Sequence, residues 1–88
     1  KKTGGVEGWR IQLIFKGQKE EILPYQIKFT NLYPEIPIHL THVYPNYKLT
    51  VGNFRTRDEA LKIKHQISKN FPGAYPVPII IDPDLLED

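Results

Sequence analysis

The sequence contains no cysteine, which excludes disulfide bridges, thiolate catalysis and cysteine-ligated zinc sites. It also lacks a run of about 18 apolar residues, the length that a membrane-spanning helix needs. Its first residues contain no apolar segment of the kind found in signal peptides, so we expect any signal or anchor to lie elsewhere in a longer protein. The formal net charge of +2 is small for a nucleic-acid-binding domain, which usually has a strong basic stripe.

What is present is the composition of a small globular domain. The 88 residues are 40% hydrophobic and 25% charged, which is ordinary for a folded protein and argues against disorder over the whole chain. A chain of this length has room for one domain with one core.

Two segments, residues 9–38 and 47–76, are imperfect copies of one unit. Trp9-Arg10-Ile11-Gln12-Leu13 aligns with Tyr47-Lys48-Leu49-Thr50-Val51, and Tyr33-Pro34 aligns with Phe71-Pro72. Stacked repeat proteins need about three or more units to bury a continuous core, so two copies do not form a solenoid. The duplication favours two βαβ halves that fold onto each other.

The periodicity of apolar residues predicts six elements in the order βαββαβ. The strands are predicted at residues 9–15, 38–44, 47–51 and 74–80, and the helices at about 24–32 and from 56 onward. Pro24 is expected to begin the first helix, because an interior proline costs about 3 kcal/mol. The second helix begins with the capping box Thr56-Arg57-Asp58-Glu59. Its apolar face is expected to contain Ala60, Ile63, Ile67 and Phe71.

These elements predict an α+β fold, a βαββαβ ferredoxin-like sandwich. The sheet is antiparallel with strand order 4-1-3-2, and right-handed crossovers place both helices on one face. Pro76 and Pro78 confine the last strand to an edge, because proline donates no backbone hydrogen bond. Residues 1–7 are expected to be a linker, residues 8–81 the domain, and residues 82–88 an acidic tail. Gly52, just after the third strand, is expected to need a positive φ or a close backbone approach.

Strand alternation sorts the side chains between the two faces of the predicted sheet. Trp9, Ile11, Leu13 and Phe15 are expected to face the helices. The helix-free face is expected to present Arg10, Gln12, Ile14, His39, Thr41, Val43, Lys48, Thr50 and Tyr75. This mixture of hydrogen-bonding groups, cations and an aromatic ring suits an extended polar polymer, and the alternative is an ordinary solvated surface.

The motifs resemble those of the SPOR (sporulation-related repeat) domain over about residues 8–80. The resemblance rests on Gly8-Trp9-Arg10-Ile11-Gln12-Leu13, on Tyr47-Lys48-Leu49-Thr50-Val51-Gly52-Asn53-Phe54, and on the helix start Thr56-Arg57-Asp58-Glu59-Ala60. It implies a non-catalytic module that binds the glycan strands of bacterial peptidoglycan on the helix-free face. It also implies a location in the periplasm or cell envelope, in a cell-division or envelope protein with further domains.

The same resemblance implies which residues hold the ligand. Gln12 matches the glutamine of the family's first-strand motif, and the expected ligand-binding residues are Gln12, Arg10, Ile14, Lys48, Thr50 and Tyr75. The chain departs from the family pattern at two places. Thr50 stands where the family often has a basic residue, with the charge instead at Lys48, and Leu13-Ile14 replaces a small-residue step.

The sequence offers little support for a metal, calcium or catalytic site. His39 and His42 form an H-x-x-H pair, but on a strand their side chains point to opposite faces, so we expect no metal site. The acidic tail lacks the glycine and spacing of a calcium loop; its carboxylates are Asp82, Asp84, Glu87 and Asp88. The sequence has no P-loop or nucleophile elbow, so we expect neither an enzyme nor a cofactor.

Two other binding functions remain open. An RRM-like single-stranded RNA-binding domain shares the βαββαβ layout and the open sheet face, but its third strand needs outward aromatic residues that Tyr47-Lys48-Leu49-Thr50-Val51 does not provide. We therefore expect no nucleic acid partner. A protein–protein interaction module would bind through the edge of strand two or four, and the two prolines of strand four disfavour that edge.

Overall fold

The computed structural model describes residues 5–81. The elements are β1 (Val6–Lys16), α1 (Lys19–Leu32), β2 (Ile38–Val43), β3 (Asn46–Phe54), α2 (Arg57–Ile67) and β4 (Tyr75–Ile81). They form one four-stranded sheet with the order β2-β3-β1-β4, in which every neighbouring pair is antiparallel. The predicted α+β ferredoxin-like fold is confirmed.

The core lies between one face of the sheet and the two helices. Ile11 of β1 and Leu49 and Val51 of β3 are fully buried against the helices. The helices contribute Ile22, Phe29, Ala60 and Ile67, which are equally buried. The main core cluster therefore lies on the helix side of the sheet, and the helices cover only that side. Ile81, which shares the face of Tyr75, is buried outside this cluster.

Helix α2 follows the sequence prediction closely. The Thr56 hydroxyl accepts a hydrogen bond from the Glu59 N–H at 3.1 Å, and the Glu59 carboxylate accepts one from the Arg55 N–H at 3.0 Å. Ala60 and Ile67 are buried, and Ile63 packs against them. Phe71, predicted on the same helix face, is buried as well but lies beyond the end of α2 at Ile67. The capping residues and the 3.6-residue period were therefore sufficient to locate this helix and its buried face.

Helix α1 begins five residues earlier than predicted. It starts at Lys19 and places Pro24 inside the helix instead of at its first turn. The fully buried Ile22 packs into the core and holds the residues before Pro24 in place. Pro24 and Glu20, the residue whose carbonyl loses its helix partner, are both exposed, so water can satisfy that carbonyl. Packing of Ile22 therefore outweighs the local cost of the proline.

The sheet also extends beyond its predicted limits. Strand β1 begins at Val6, where Val6 pairs with Ile81 and Glu7 with Ile80, so the expected linker boundary at residue 7 is wrong. Strand β3 continues to Phe54, beyond the predicted end at Val51. The rest of the predicted linker, residues 1–4, and the acidic tail, residues 82–88, lie outside the described residues. No helix within residues 5–81 is long and apolar enough to cross a membrane.

Two β-bulges interrupt the pairing of the central strands β1 and β3. Between the pairs Trp9–Phe54 and Ile11–Val51, strand β3 has one extra residue, and this bulge contains Gly52 with φ of 80°. Between the pairs Gln12–Thr50 and Ile14–Leu49, strand β1 has one extra residue, Leu13. The positive φ predicted for Gly52 is confirmed, because a bulge of this kind favours glycine in the left-handed region.

Candidate binding face of the sheet

The sheet face opposite the helices, here called the open face, has a row of polar side chains across all four strands. The row consists of His39 on β2, Thr50 on β3, Gln12 on β1 and Tyr75 on β4, each paired with the next. Paired residues of an antiparallel sheet project to the same side, so all four face away from the core. We call these four residues the central row.

One end of the central row is organised by a direct hydrogen bond. The Gln12 side-chain amide donates to the Tyr75 hydroxyl at 2.7 Å. This bond fixes the amide orientation, so the Gln12 carbonyl oxygen is left to accept a bond from a ligand, and the tyrosine hydroxyl proton is left to donate one. The pair thus presents one donor and one acceptor side by side.

Arg10 lies next to the central row, and a residue of β3 fixes the orientation of its side chain. Its Nε donates to the Asn53 side-chain oxygen at 2.9 Å, and Asn53 belongs to the β3 bulge. Partial burial lowers the pKa of Arg10 from its usual value, but a guanidinium remains charged in proteins. Arg10 therefore supplies a positioned positive charge beside the central row.

The middle of the central row contains two polar atoms without partners. Thr50 Oγ1 and His39 Nε2 are buried and form no hydrogen bond with any residue of the described chain. A buried polar atom left unpaired costs about 1–3 kcal/mol, so such atoms in a folded protein need an explanation. A bound water or a ligand hydroxyl that reaches them after a small side-chain movement would remove this cost.

A second row lies beside the central row on the same face. Thr41 on β2 pairs with Lys48 on β3, and Lys48 pairs with Phe15 on β1. The Phe15 ring is 44% exposed. This row therefore adds a cation and an aromatic surface to the open face.

The positions of Ile14 and Phe15 are the reverse of the sequence prediction. Ile14 pairs with Leu49 and packs against the buried core, so it is not a residue of the open face. The extra residue at Leu13 shifts the alternation by one position, which turns Ile14 inward and Phe15 outward. The run Leu13-Ile14-Phe15, three apolar residues in succession, was the sequence signal that simple alternation fails here.

The other predicted ligand-binding residues lie on the open face, but one of them is not accessible to a ligand. Arg10, Gln12, Lys48 and Tyr75 are at least partly accessible, but Thr50 is only 1% exposed. Neighbouring side chains cover it, so direct contact between Thr50 and a ligand requires one of them to move.

His39 is the only histidine of the central row. Burial lowers the pKa of His39 and the positive charge of Arg10 lowers it further, while a hydrogen bond with the Gly52 backbone acts in the opposite direction. His39 is therefore neutral at pH 7, and one of its ring nitrogens is available as an acceptor.

His39 and His42 project to opposite faces, as the sequence predicted. His42 pairs with Tyr47 on the helix side and stacks on its ring with the centroids 4.4 Å apart. Within residues 5–81 no group of three or more His, Cys, Asp or Glu side chains is arranged to hold a metal ion.

No protein-family model matches the chain, and neither a curated protein nor a solved structure matches it. The likeness to the SPOR domain stays a prediction based on the motif residues.

Proposed function

We propose that the domain is a non-catalytic module of the bacterial cell envelope that binds peptidoglycan, with a glycan strand on the open face. The observation that supports this most directly is the central row, which crosses every strand of the sheet on the side without helices. A linear polymer can follow such a row and meet several hydrogen-bonding groups in succession.

The chemistry of the open face suits a glycan with acidic substituents. The Gln12–Tyr75 pair offers a donor and an acceptor for sugar hydroxyl and N-acetyl groups. The rings of Phe15 and Tyr75 are both partly exposed, and their faces suit the C–H groups of sugar rings. Arg10 and Lys48 attract the lactyl carboxylates that a glycan strand carries where its stem peptides have been removed, and none of the described strand residues of this face is acidic.

The affinity of such a site should be modest. The face is shallow and polar, and much of its hydrogen bonding to a ligand replaces bonds to water. We expect a dissociation constant in the micromolar range, equivalent to about −8 kcal/mol.

Co-sedimentation with purified bacterial sacculi, before and after amidase removal of the stem peptides, tests the proposal. We expect the wild-type domain to bind, and the double substitution Gln12→Ala with Lys48→Glu to reduce binding at least about tenfold, a loss of about 1.4 kcal/mol. The melting temperature should change by only a few degrees, since exposed substitutions usually alter stability by less than about 0.5 kcal/mol.

The matched control is Lys62→Glu with Lys69→Glu. Lys62 lies on α2 and Lys69 just after it, both exposed and away from the open face. This control changes twice as much charge as the test variant and should leave binding nearly intact. Loss of binding in the control with retention in the test variant would place the ligand elsewhere and refute the proposal.

RNA binding is the second candidate, and one observation favours it. Phe15 and Tyr75 are aromatic residues on the open face, and such rings also stack on bases. The residues that strand β3 contributes to this face, Lys48 and Thr50 among them, include none of the aromatic residues of an RRM third strand. Fluorescence anisotropy with a labelled single-stranded RNA separates the two candidates, because tight RNA binding without sacculus binding would favour the second.

A further inference from the structure

The two edges of the sheet differ in their protection against further strand pairing. Strand β4 contains Pro76 and Pro78, which remove two backbone donors. Strand β2 contains neither proline nor a charged residue, and it pairs with β3 without a register shift. Exposed edges are normally protected by charges, prolines or bulges, so β2 has the composition of an edge that accepts another strand.

The backbone groups available on β2 follow from its pairing with β3. The Gly52 N–H donates to the Pro37 carbonyl at 2.8 Å. Because the bonds of an antiparallel ladder alternate along each strand, residues 39, 41 and 43 also bond to β3. Ile38, Leu40 and His42 therefore direct their N–H and C=O groups to the free edge.

The same three residues form a partly apolar strip on the helix side of β2. They pair with the helix-side residues Val51, Leu49 and Tyr47 of β3. Helix α1 packs mainly on β1 and β3, and α2 on β1, β4 and β3, so Leu40 of β2 is left 36% exposed. An edge with free backbone groups and an exposed leucine at its centre combines the two features that strand addition uses.

We propose that β2 pairs with β2 of a second copy of this chain, antiparallel, about a two-fold axis at Leu40. In this register Leu40 lies opposite Leu40 of the partner subunit, and Ile38 lies opposite His42 of the partner subunit. Ile38, Leu40 and His42 then each lie opposite a residue of the partner strand whose N–H and C=O groups also point to the free edge. The pattern is self-complementary, as a two-fold interface requires, and no charged residue is brought against a like charge.

The association should be weak, because a six-residue strand is small against the 20–30 residues per side of a standard interface. We expect a dissociation constant of about 0.1–1 mM. The two-fold axis is perpendicular to the sheet, so the two open faces lie on the same side and form one eight-stranded surface.

Sedimentation equilibrium from about 10 μM to 1 mM tests the proposal, with Leu40→Lys as the test variant and Ile80→Lys as the matched control. Ile80 lies on the other edge strand, β4, and is 65% exposed, so the control makes the same apolar-to-charged change at an exposed position. We expect wild type and Ile80→Lys to dimerise alike and Leu40→Lys to dimerise at least tenfold more weakly. Circular dichroism checks that both variants fold.

Hydrogen exchange of the wild-type protein gives an independent measurement. The amides of Leu40 and His42 should exchange more slowly as the protein concentration rises, while that of Thr41 should not change. A wild-type chain that stays monomeric at 1 mM, or a dimer that Leu40→Lys and Ile80→Lys weaken equally, would overturn the proposal.

Discussion

Substitution of Gly52 tests the bulge that interrupts β3 beside the central row. Gly52 has φ of 80°, a conformation that costs a residue with a side chain about 1–2 kcal/mol. A Cβ atom at this position would lie 2.3 Å from an atom of the Phe54 ring, far inside van der Waals contact. The ring would have to leave its preferred rotamer, at a further cost of about 0.5–1.5 kcal/mol. We therefore expect Gly52→Val to destabilise the domain by about 2–4 kcal/mol, since valine is also β-branched.

Asn53→Val is the control, because Asn53 is the neighbouring residue of the same bulge and has no positive φ. It loses the hydrogen bond from the charged Arg10 guanidinium, and because both residues are partly exposed we expect a change at the lower end of about 1.5–3 kcal/mol. Thermal denaturation should separate the variants, since 1 kcal/mol shifts the melting temperature of a domain of this size by about 4–8 °C. Equal melting temperatures would show that neither the backbone conformation nor the Phe54 contact constrains this position.

Three further substitutions test other parts of the structure. Ile67→Ala removes a fully buried side chain and should lower the free energy of unfolding by about 2–5 kcal/mol in urea denaturation, whereas a change below about 0.5 kcal/mol would contradict the packing of α2. Pro24→Ala should raise the melting temperature, because it restores a helix hydrogen bond within α1; a lower value would refute this. For His39 the folded-state pKa lies below the unfolded value near 6.5, so the unfolded state binds the proton more readily. Wild-type stability should thus fall as the pH drops from 7.5 to 5, and by less in His39→Asn; equal slopes would contradict the assignment.

The elements and their order could be predicted because their signals are local. The period of Ala60, Ile63 and Ile67, with the capping residues before them, located α2 without knowledge of the rest of the chain. The prolines of β4 and the short connection between β2 and β3 then limited the sheet to one strand order.

The sequence prediction was wrong where tertiary packing overrides a local rule. Pro24 would end a helix in isolation, but Ile22 gains enough from burial in the core to extend α1 beyond it. The burial of Thr50 depends on side chains from neighbouring strands, which alternation along a single strand cannot report. Ile14 was assigned to the wrong face because alternation assumes an uninterrupted ladder.

The two bulges act together on the central strands. The extra residue of β3 shifts the pairing of β1 and β3 by one position, and the extra residue of β1 shifts it back. Only the short segment between the bulges has the shifted register, and that segment contains the Gln12–Thr50 pair of the central row. The β3 bulge supplies Asn53, which orients Arg10, and the β1 bulge turns Phe15 outward beside Lys48. Each bulge thereby adds to the open face a feature that regular alternation would not provide, as bulges beside functional sites often do.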